Sequence, residues 1–290
     1  MTKPLTVLVT GATGNQGGAV AKALINNKHN VIALTRNPKS VAAIELAKLG
    51  AEVVTGSLEA PLQLADTLKR VDTLFLMGGP METSVEQEIA QGLAIVDVAK
   101  SANVGHLVYS SVANANKNTG IPHFESKYKV EQYIRSQDIP FTICAPVAFM
   151  ENVVAPWSID AFKAHKIVQA LPDEIKLQQI SLRNFGEFVA DIVEKRESVF
   201  GQRFDIAGDE VTGDEMATVL TNATHQTISY ESFPTSELRK VSDDMATMFE
   251  WLADTGYDVD KRELHEQFNN INWQNYTQWA ESANWSLLKN

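Results

Sequence analysis

The chain has 290 residues, of which 36 are acidic and 25 basic, for a formal net charge of −11. With its Lys and Arg scattered rather than clustered, it lacks the basic face that general nucleic-acid or membrane-surface binding requires. The single cysteine, Cys144, excludes an internal disulfide and points to a reducing cytoplasm. No apolar run approaches the ~20 residues of a membrane span. The first residues enter a strand almost at once, so no secretory leader is expected.

In chain order, the first element is an apolar strand, Val7-Leu8-Val9, that stops at Gly11-Ala12-Thr13-Gly14-Asn15-Gln16-Gly17-Gly18 and opens into a helix carrying Val20, Leu24 and Ile25. Strand, glycine turn, helix is the order a dinucleotide pyrophosphate needs. The first glycine permits a tight turn, the second lets the backbone approach phosphate, and the third lets helix and strand pack closely. The helix N-terminus then offers free N–H groups and a positive dipole end. A second strand is expected at 31–34, a helix at 40–49 ending at Gly50, and a third strand at 51–55. A helix at 62–68 and a strand at 73–77, closed by Gly78-Gly79-Pro80, follow. Then come a long helix at 85–102, a strand at 106–110, a helix at about 125–137 and a strand at 141–145. Repeated strand–helix units with near-continuous apolar strands imply an α/β fold with a doubly wound parallel Rossmann sheet.

After about Ala148 helices dominate, with strand-like pieces at 176–182, 203–207 and 227–230 and Asn184 as N-cap of a helix over 185–194. The expected division is a Rossmann domain, 1–152, and a smaller, mostly helical α+β lobe, 153–290, interleaved in one compact unit. A cleft between the lobes would hold whatever meets the cofactor. Trp251, Trp273, Trp279 and Trp285 cluster near the end of the chain. They read as core of the small lobe in preference to a partner surface.

Nucleotide choice is decided after the second strand. There an NAD-binding chain usually carries an acid for the ribose 2′-hydroxyl. This chain reads Thr35-Arg36-Asn37-Pro38-Lys39. Arg36 offers a planar fork to a 2′-phosphate and Lys39 a second positive charge, so NADP(H) is the expected cofactor.

These residues resemble the NmrA-like branch of the atypical short-chain dehydrogenases/reductases. The resemblance runs through Gly11–Gly17, Thr35-Arg36-Asn37-Pro38, Gly50-Ala51-Glu52-Val53-Val54-Thr55-Gly56, His123-Phe124-Glu125-Ser126-Lys127 and Phe149-Met150-Glu151-Asn152. Within that branch it is nearest the NADPH-sensor subgroup typified by HSCARG. The resemblance implies that Gly11, Thr13, Gly14, Asn15, Gln16 and Gly17 hold pyrophosphate and ribose. It further implies that Arg36 takes the 2′-phosphate and that Lys127 contacts the nicotinamide-side ribose. Ser57 stands where the family often has an Asp for the adenine amino group. The space over the nicotinamide is expected to be bounded by Pro146, Val147, Phe149 and Met150.

Short-chain dehydrogenases ordinarily place a tyrosine four residues before the lysine, to exchange a proton while hydride moves. Here that residue is His123. A Lys127/His123/Ser111 site is conceivable, with Ser110 or Ser111 supplying the serine. The plainer reading leaves His123 at a helix start and Lys127 on ribose only. Tyr109 and Cys144 read as buried strand core. The remaining histidines show no ligand spacing, so no metal is expected. Two functions stand: an NADPH-dependent reductase of a quinone-like or other small carbonyl acceptor, or a redox sensor whose affinity for a regulatory protein changes with cofactor state. The chain is expected as a monomer or homodimer, without direct nucleic-acid or membrane contact.

Overall fold

The structure, a computed structural model, describes residues 3–79 and 84–288. Pro80, expected to close the fourth strand, lies outside them. The strands and helices alternate as β1 (Thr6–Val9), α1 (Asn15–Asn26), β2 (Asn30–Thr35), α2 (Val41–Lys48), β3 (Glu52–Thr55), α3 (Ala65–Leu68), β4 (Thr73–Met77), α4 (Val85–Ser101), β5 (Leu107–Ser110), α5 (Pro122–Ser136) and β6 (Phe141–Pro146). There follow β7 (Ala148–Phe149), α6 (Ile159–Lys163), β8 (Lys166–Gln169), β9 (Leu177–Ile180), α7 (Leu182–Glu194), α8 (Arg196–Val199), β10 (Arg203–Ile206), β11 (Asp209–Val211), α9 (Gly213–Thr224) and β12 (Ser229–Ser232). Helices α10 (Thr235–Arg239), α11 (Asp243–Asp254), α12 (Lys261–Gln267) and α13 (Tyr276–Ser282) complete the order.

The central sheet runs β3-β2-β1-β4-β5-β6-β10. Parallel pairing sets Val7 opposite Val31 and Thr73, and Ser110 opposite Cys144. Strand order reverses between β1 and β4, and that reversal opens a crevice at the carboxyl ends of the strands. Local chemistry fixes the helix starts. Ser40 caps α2 by accepting from Ala43 N–H, and Ser84 and Gln87 form a capping box on α4. Gly50, with φ +105, ends the α2 turn as expected. The expected helix at 62–68 is split into a tight 3-10 turn at Pro61–Leu64 and the short α3.

The chain divides into two compact units: 1–116, 123–145 and 185–205 against 117–122, 146–184 and 206–290. The division expected at residue 152 therefore needs correction, because the chain returns to the first unit. Strand β10 adds itself beyond β6, covering an edge that would otherwise leave backbone groups unpaired. On α7, Phe185 packs edge-on to Phe75 at 6.4 Å, and Gly186 lies so near α1 that a Cβ there would stand 2.6 Å from the Ala19 carbonyl oxygen.

Helix α7 also starts earlier than expected. Ser181, not Asn184, receives the capping N–H, donated by Asn184 itself at 3.1 Å. The Asn184 side chain is buried and bridges Gln274 N–H and the Asn272 carbonyl. In the second unit β11-β9-β7 and β12-β8 form small sheets. Its core holds Met150, Phe162, Met216, Leu220, Tyr276 and Trp279, with Trp285 packed against them. Trp251 packs on a smaller cluster around Leu252, while Trp157 is exposed.

A buried histidine at the foot of β5 ties the fold to pH. His106 Nε2 lies 2.9 Å from Thr142 Oγ1, whose own proton goes to the Val199 carbonyl, so Nε2 carries the hydrogen of a neutral ring. Burial, with the Arg196 guanidinium adding to it, pushes His106 down to about 3. The unfolded chain takes up this proton near pH 6.5, the folded chain only near 3, so acidification between those values favours unfolding. At pH 5 the difference is about 2 kcal/mol. His106→Gln should flatten the pH dependence of urea unfolding between pH 6.5 and 4 by about 3 kcal/mol; an unchanged slope would contradict this account.

Candidate functional site

The site is built at the carboxyl ends of β1, β2, β4 and β5. Beyond β1, Gly11 takes φ +61, and Gly14 N–H closes the turn onto the Gly11 carbonyl at 2.9 Å. A Cβ on Gly17 would overlap the Gly11 carbonyl oxygen and lie 2.7 Å from that of Thr10, so close packing of α1 on this turn requires glycine there. Gly14 is the N-cap of α1 and supplies no side-chain acceptor, and no acid lies in the helix's first turn. The first-turn N–H groups thus keep the unclaimed donors and positive dipole end suited to an anion. Thr10 pins the loop by exchanging hydrogen bonds with the main chain of Met77 beyond β4.

Thr13 reaches the end of β2, where its hydroxyl stands 3.5 Å from that of Thr35. Arg36 and Lys39 follow, both exposed and neither ion-paired with a described residue. Their turn is held by Asn37 N–H on Thr35 Oγ1 and Lys39 N–H on Asn37 Oδ1. Ser57, just past Gly56, accepts from Glu59 N–H at 3.1 Å and keeps its own proton to donate. The group from Gly11 to Gly17, with Arg36, Lys39 and Ser57, therefore borders one crevice end.

The two serines at the end of β5, Ser110 its last residue and Ser111 just past it, part company, as alternation along a strand requires. Ser110 accepts from Gln16 Nε2 at 2.5 Å and so belongs to the glycine-loop side. Ser111, the serine proposed for catalysis, instead donates to Glu131 Oε1. Glu131, fully buried, is also bound by Arg203 Nε at 2.9 Å, and Arg203 reaches Asp205 and the Val112 carbonyl. The Ser111 hydroxyl is thus committed to a buried structural network, and the serine facing the loop is Ser110.

Lys127 also has a partner that its place in the sequence did not reveal. Its Nζ pairs with Glu88 Oε1 of α4, while Ser126 Oγ donates to Glu88 Oε2 at 2.6 Å. A Cβ on Gly78, beyond β4, would overlap that carboxylate. The residue four before Lys127, His123, lies on the same helix face in the first turn of α5, which begins at Pro122 rather than near Glu125. Its ring meets Phe124 edge-on at 4.8 Å. Tyr109 is buried core, its phenol driven well up by burial and by the charges of Glu88 and Glu131. Cys144 is likewise buried, and burial raises its thiol.

Pro146 is the buried last residue of β6. Met150, expected beside the nicotinamide, is wholly buried in the second unit's core. The motif around it has a structural account. Glu151 accepts Leu182 N–H at the start of α7 on both oxygens and the Trp279 indole N–H at 3.0 Å. Among the described residues there is no metal-ligand cluster and no helix long and apolar enough to cross a membrane.

Comparison with known proteins places this geometry. An NmrA-like family oxidoreductase of Aspergillus hancockii, hkm9, is 29% identical over 86% of this chain and 83% of its own. The fold matches an NADPH-dependent quinone oxidoreductase of Escherichia coli solved with NADPH, at TM-score 0.77 and 20% identity, over 94% of this chain and 98% of that one. It also matches NmrA, a negative transcriptional regulator solved with NADP, at TM-score 0.78 and 17% identity, over 97% and 95% of the two chains. The NmrA-like family's sequence pattern matches residues 3–282, so this chain, with its glycine turn and seven-stranded sheet, belongs to the NmrA-like family.

Proposed function

We propose that this protein binds NADP(H) and acts as an NADPH-dependent oxidoreductase on a quinone-like or other small carbonyl acceptor. The observation that carries the reading is the uncapped N-terminus of α1 above a glycine turn, with Arg36 exposed just past β2 and not ion-paired with any described residue. Both are groups suited to meet a dinucleotide phosphate. The E. coli quinone oxidoreductase and the A. hancockii oxidoreductase support the assignment by analogy. The reducing setting implied by a single buried thiol fits a cytoplasmic protein.

The cofactor, when bound, supplies the hydride. The glycine turn lets the backbone approach the pyrophosphate, and the α1 N–H groups hold it. Arg36 and Lys39 take the 2′-phosphate, Ser57 borders the adenine, and Lys127 holds the nicotinamide-side ribose. No tyrosine stands four residues before Lys127, so the chain favours an acceptor that needs little help with protons, such as a quinone. Its proton comes from water or His123, and the protein contributes orientation.

A second reading, a redox sensor that binds a regulatory protein, is favoured by the pairing of Lys127 with Glu88 and by the likeness to the regulator NmrA. Such a sensor must hold its two states with unequal cofactor affinity. NADPH oxidation with a panel of small quinones separates the two. The reductase reading expects turnover well above the protein-free rate, lost in Lys127→Ala while cofactor still binds, and reduced in His123→Ala. Tight NADPH binding with no turnover on any quinone would leave the sensor.

A further inference from the structure

Resting on the cofactor reading above, we propose that Glu88 is a positioning residue that sets the balance of affinity between the oxidised and reduced cofactor, by holding Lys127 and cancelling its charge. The nicotinamide half of a dinucleotide lies past the switch point, beyond the ends of β4 and β5. Gly78 directly follows β4, and Lys127 stands on α5, the helix after β5. The Glu88 carboxylate rests where Gly78 has no side chain, one oxygen on Lys127 Nζ and the other on Ser126 Oγ. Its side chain is 11% exposed and that of Lys127 22%.

Two consequences follow from this geometry. A free lysine side chain surrenders considerable rotamer freedom when it engages a ligand. Here Glu88 fixes the ammonium beforehand, and the other two donors of Nζ are left for ribose hydroxyls. The second consequence is electrostatic. The nicotinamide ring carries a positive charge when oxidised and none when reduced. A lone ammonium in a half-buried site would therefore repel the oxidised form selectively, whereas an ammonium paired with a carboxylate would repel it little.

The test is titration of the purified chain with NADP+ and with NADPH, each followed by protein fluorescence and by the shift in melting temperature. Wild type, Glu88→Gln, Lys127→Met and the double variant are compared. Glu88→Gln keeps the shape and the acceptor toward Ser126 but leaves Lys127 unbalanced. The ratio of Kd for NADP+ to Kd for NADPH should rise about fivefold. Lys127→Met, which leaves the carboxylate alone, should move the ratio the opposite way, and the double variant, again neutral, should return it toward wild type. Circular dichroism identifies any variant that does not fold, and the opposed shift in Lys127→Met then tests the proposal without Glu88→Gln. Equal weakening of both forms in the single variants, with no change in ratio, would show a merely structural pair and overturn the proposal. Failure of wild type to bind either form would instead overturn the cofactor reading on which it rests.

Discussion

Gly17→Ala is expected to reduce NADPH affinity by at least about a hundredfold, some 2.7 kcal/mol, and to destabilise the fold by about 1–3 kcal/mol. The added Cβ would overlap the Gly11 carbonyl oxygen and lie 2.6 Å from the Gly11 carbonyl carbon and 2.7 Å from the Thr10 oxygen. All are backbone atoms, and Thr10 is pinned to Met77 on both sides of its hydroxyl. Helix α1 must therefore pivot away from β1, which scatters the N–H groups meant for the phosphate. Gly14→Ala is the informative partner, since its Cβ would meet nothing nearer than the Gly11 oxygen at 3.4 Å. Its melting temperature should stay close to wild type while its affinity falls. Isothermal titration with NADPH and thermal unfolding of both variants check the pair; wild-type affinity in Gly17→Ala would contradict it.

Arg203→Met is expected to cost about 3–5 kcal/mol of stability, because it strands Glu131 as a buried carboxylate without its cation. Glu131 is 0% exposed, and among the described residues only Arg203 and the Ser111 hydroxyl are placed on it. The same guanidinium holds the Val112 carbonyl and Asp205, and Asp205 accepts the Asn114 N–H, so the segment after β5 would loosen as well. The double variant Arg203→Met/Glu131→Leu removes both charges and should recover much of the loss. Urea unfolding of the two single variants and the double measures the coupling. A loss under about 1 kcal/mol in Arg203→Met would show that water, not protein, solvates Glu131.

Most of the nucleotide half was legible in the sequence because its determinants are local. A β-branched run before Gly11, three glycines and a helical pattern after them lie within twenty residues, and the turn they specify depends on backbone conformation alone. The exposed position of Arg36 was legible for the same reason: it directly follows β2. What escaped reading depends on distant chain. Strand β10 and the helix carrying Phe185 pack against elements more than fifty residues earlier, and short amphipathic segments do not announce their partners. The pairing of Glu88 with Lys127 joins residues 39 apart. The one signal toward it was a glycine pair at 78–79 followed by acids in the first turn of α4, which capping chemistry explains equally well. Ser110 and Ser111 were ambiguous because the end of a strand does not reveal which residue faces the crevice until register is known.

The central claim is a dinucleotide held by the glycine turn with its 2′-phosphate on Arg36. Its most direct test is a paired titration of NADPH and NADH against wild type and Arg36→Ala. Wild type should bind NADPH at least tenfold more tightly than NADH, about 1.4 kcal/mol or more, and Arg36→Ala should erase that preference while leaving NADH affinity unchanged. Equal affinity for the two cofactors in wild type, or a preference that survives the loss of Arg36, would contradict the account.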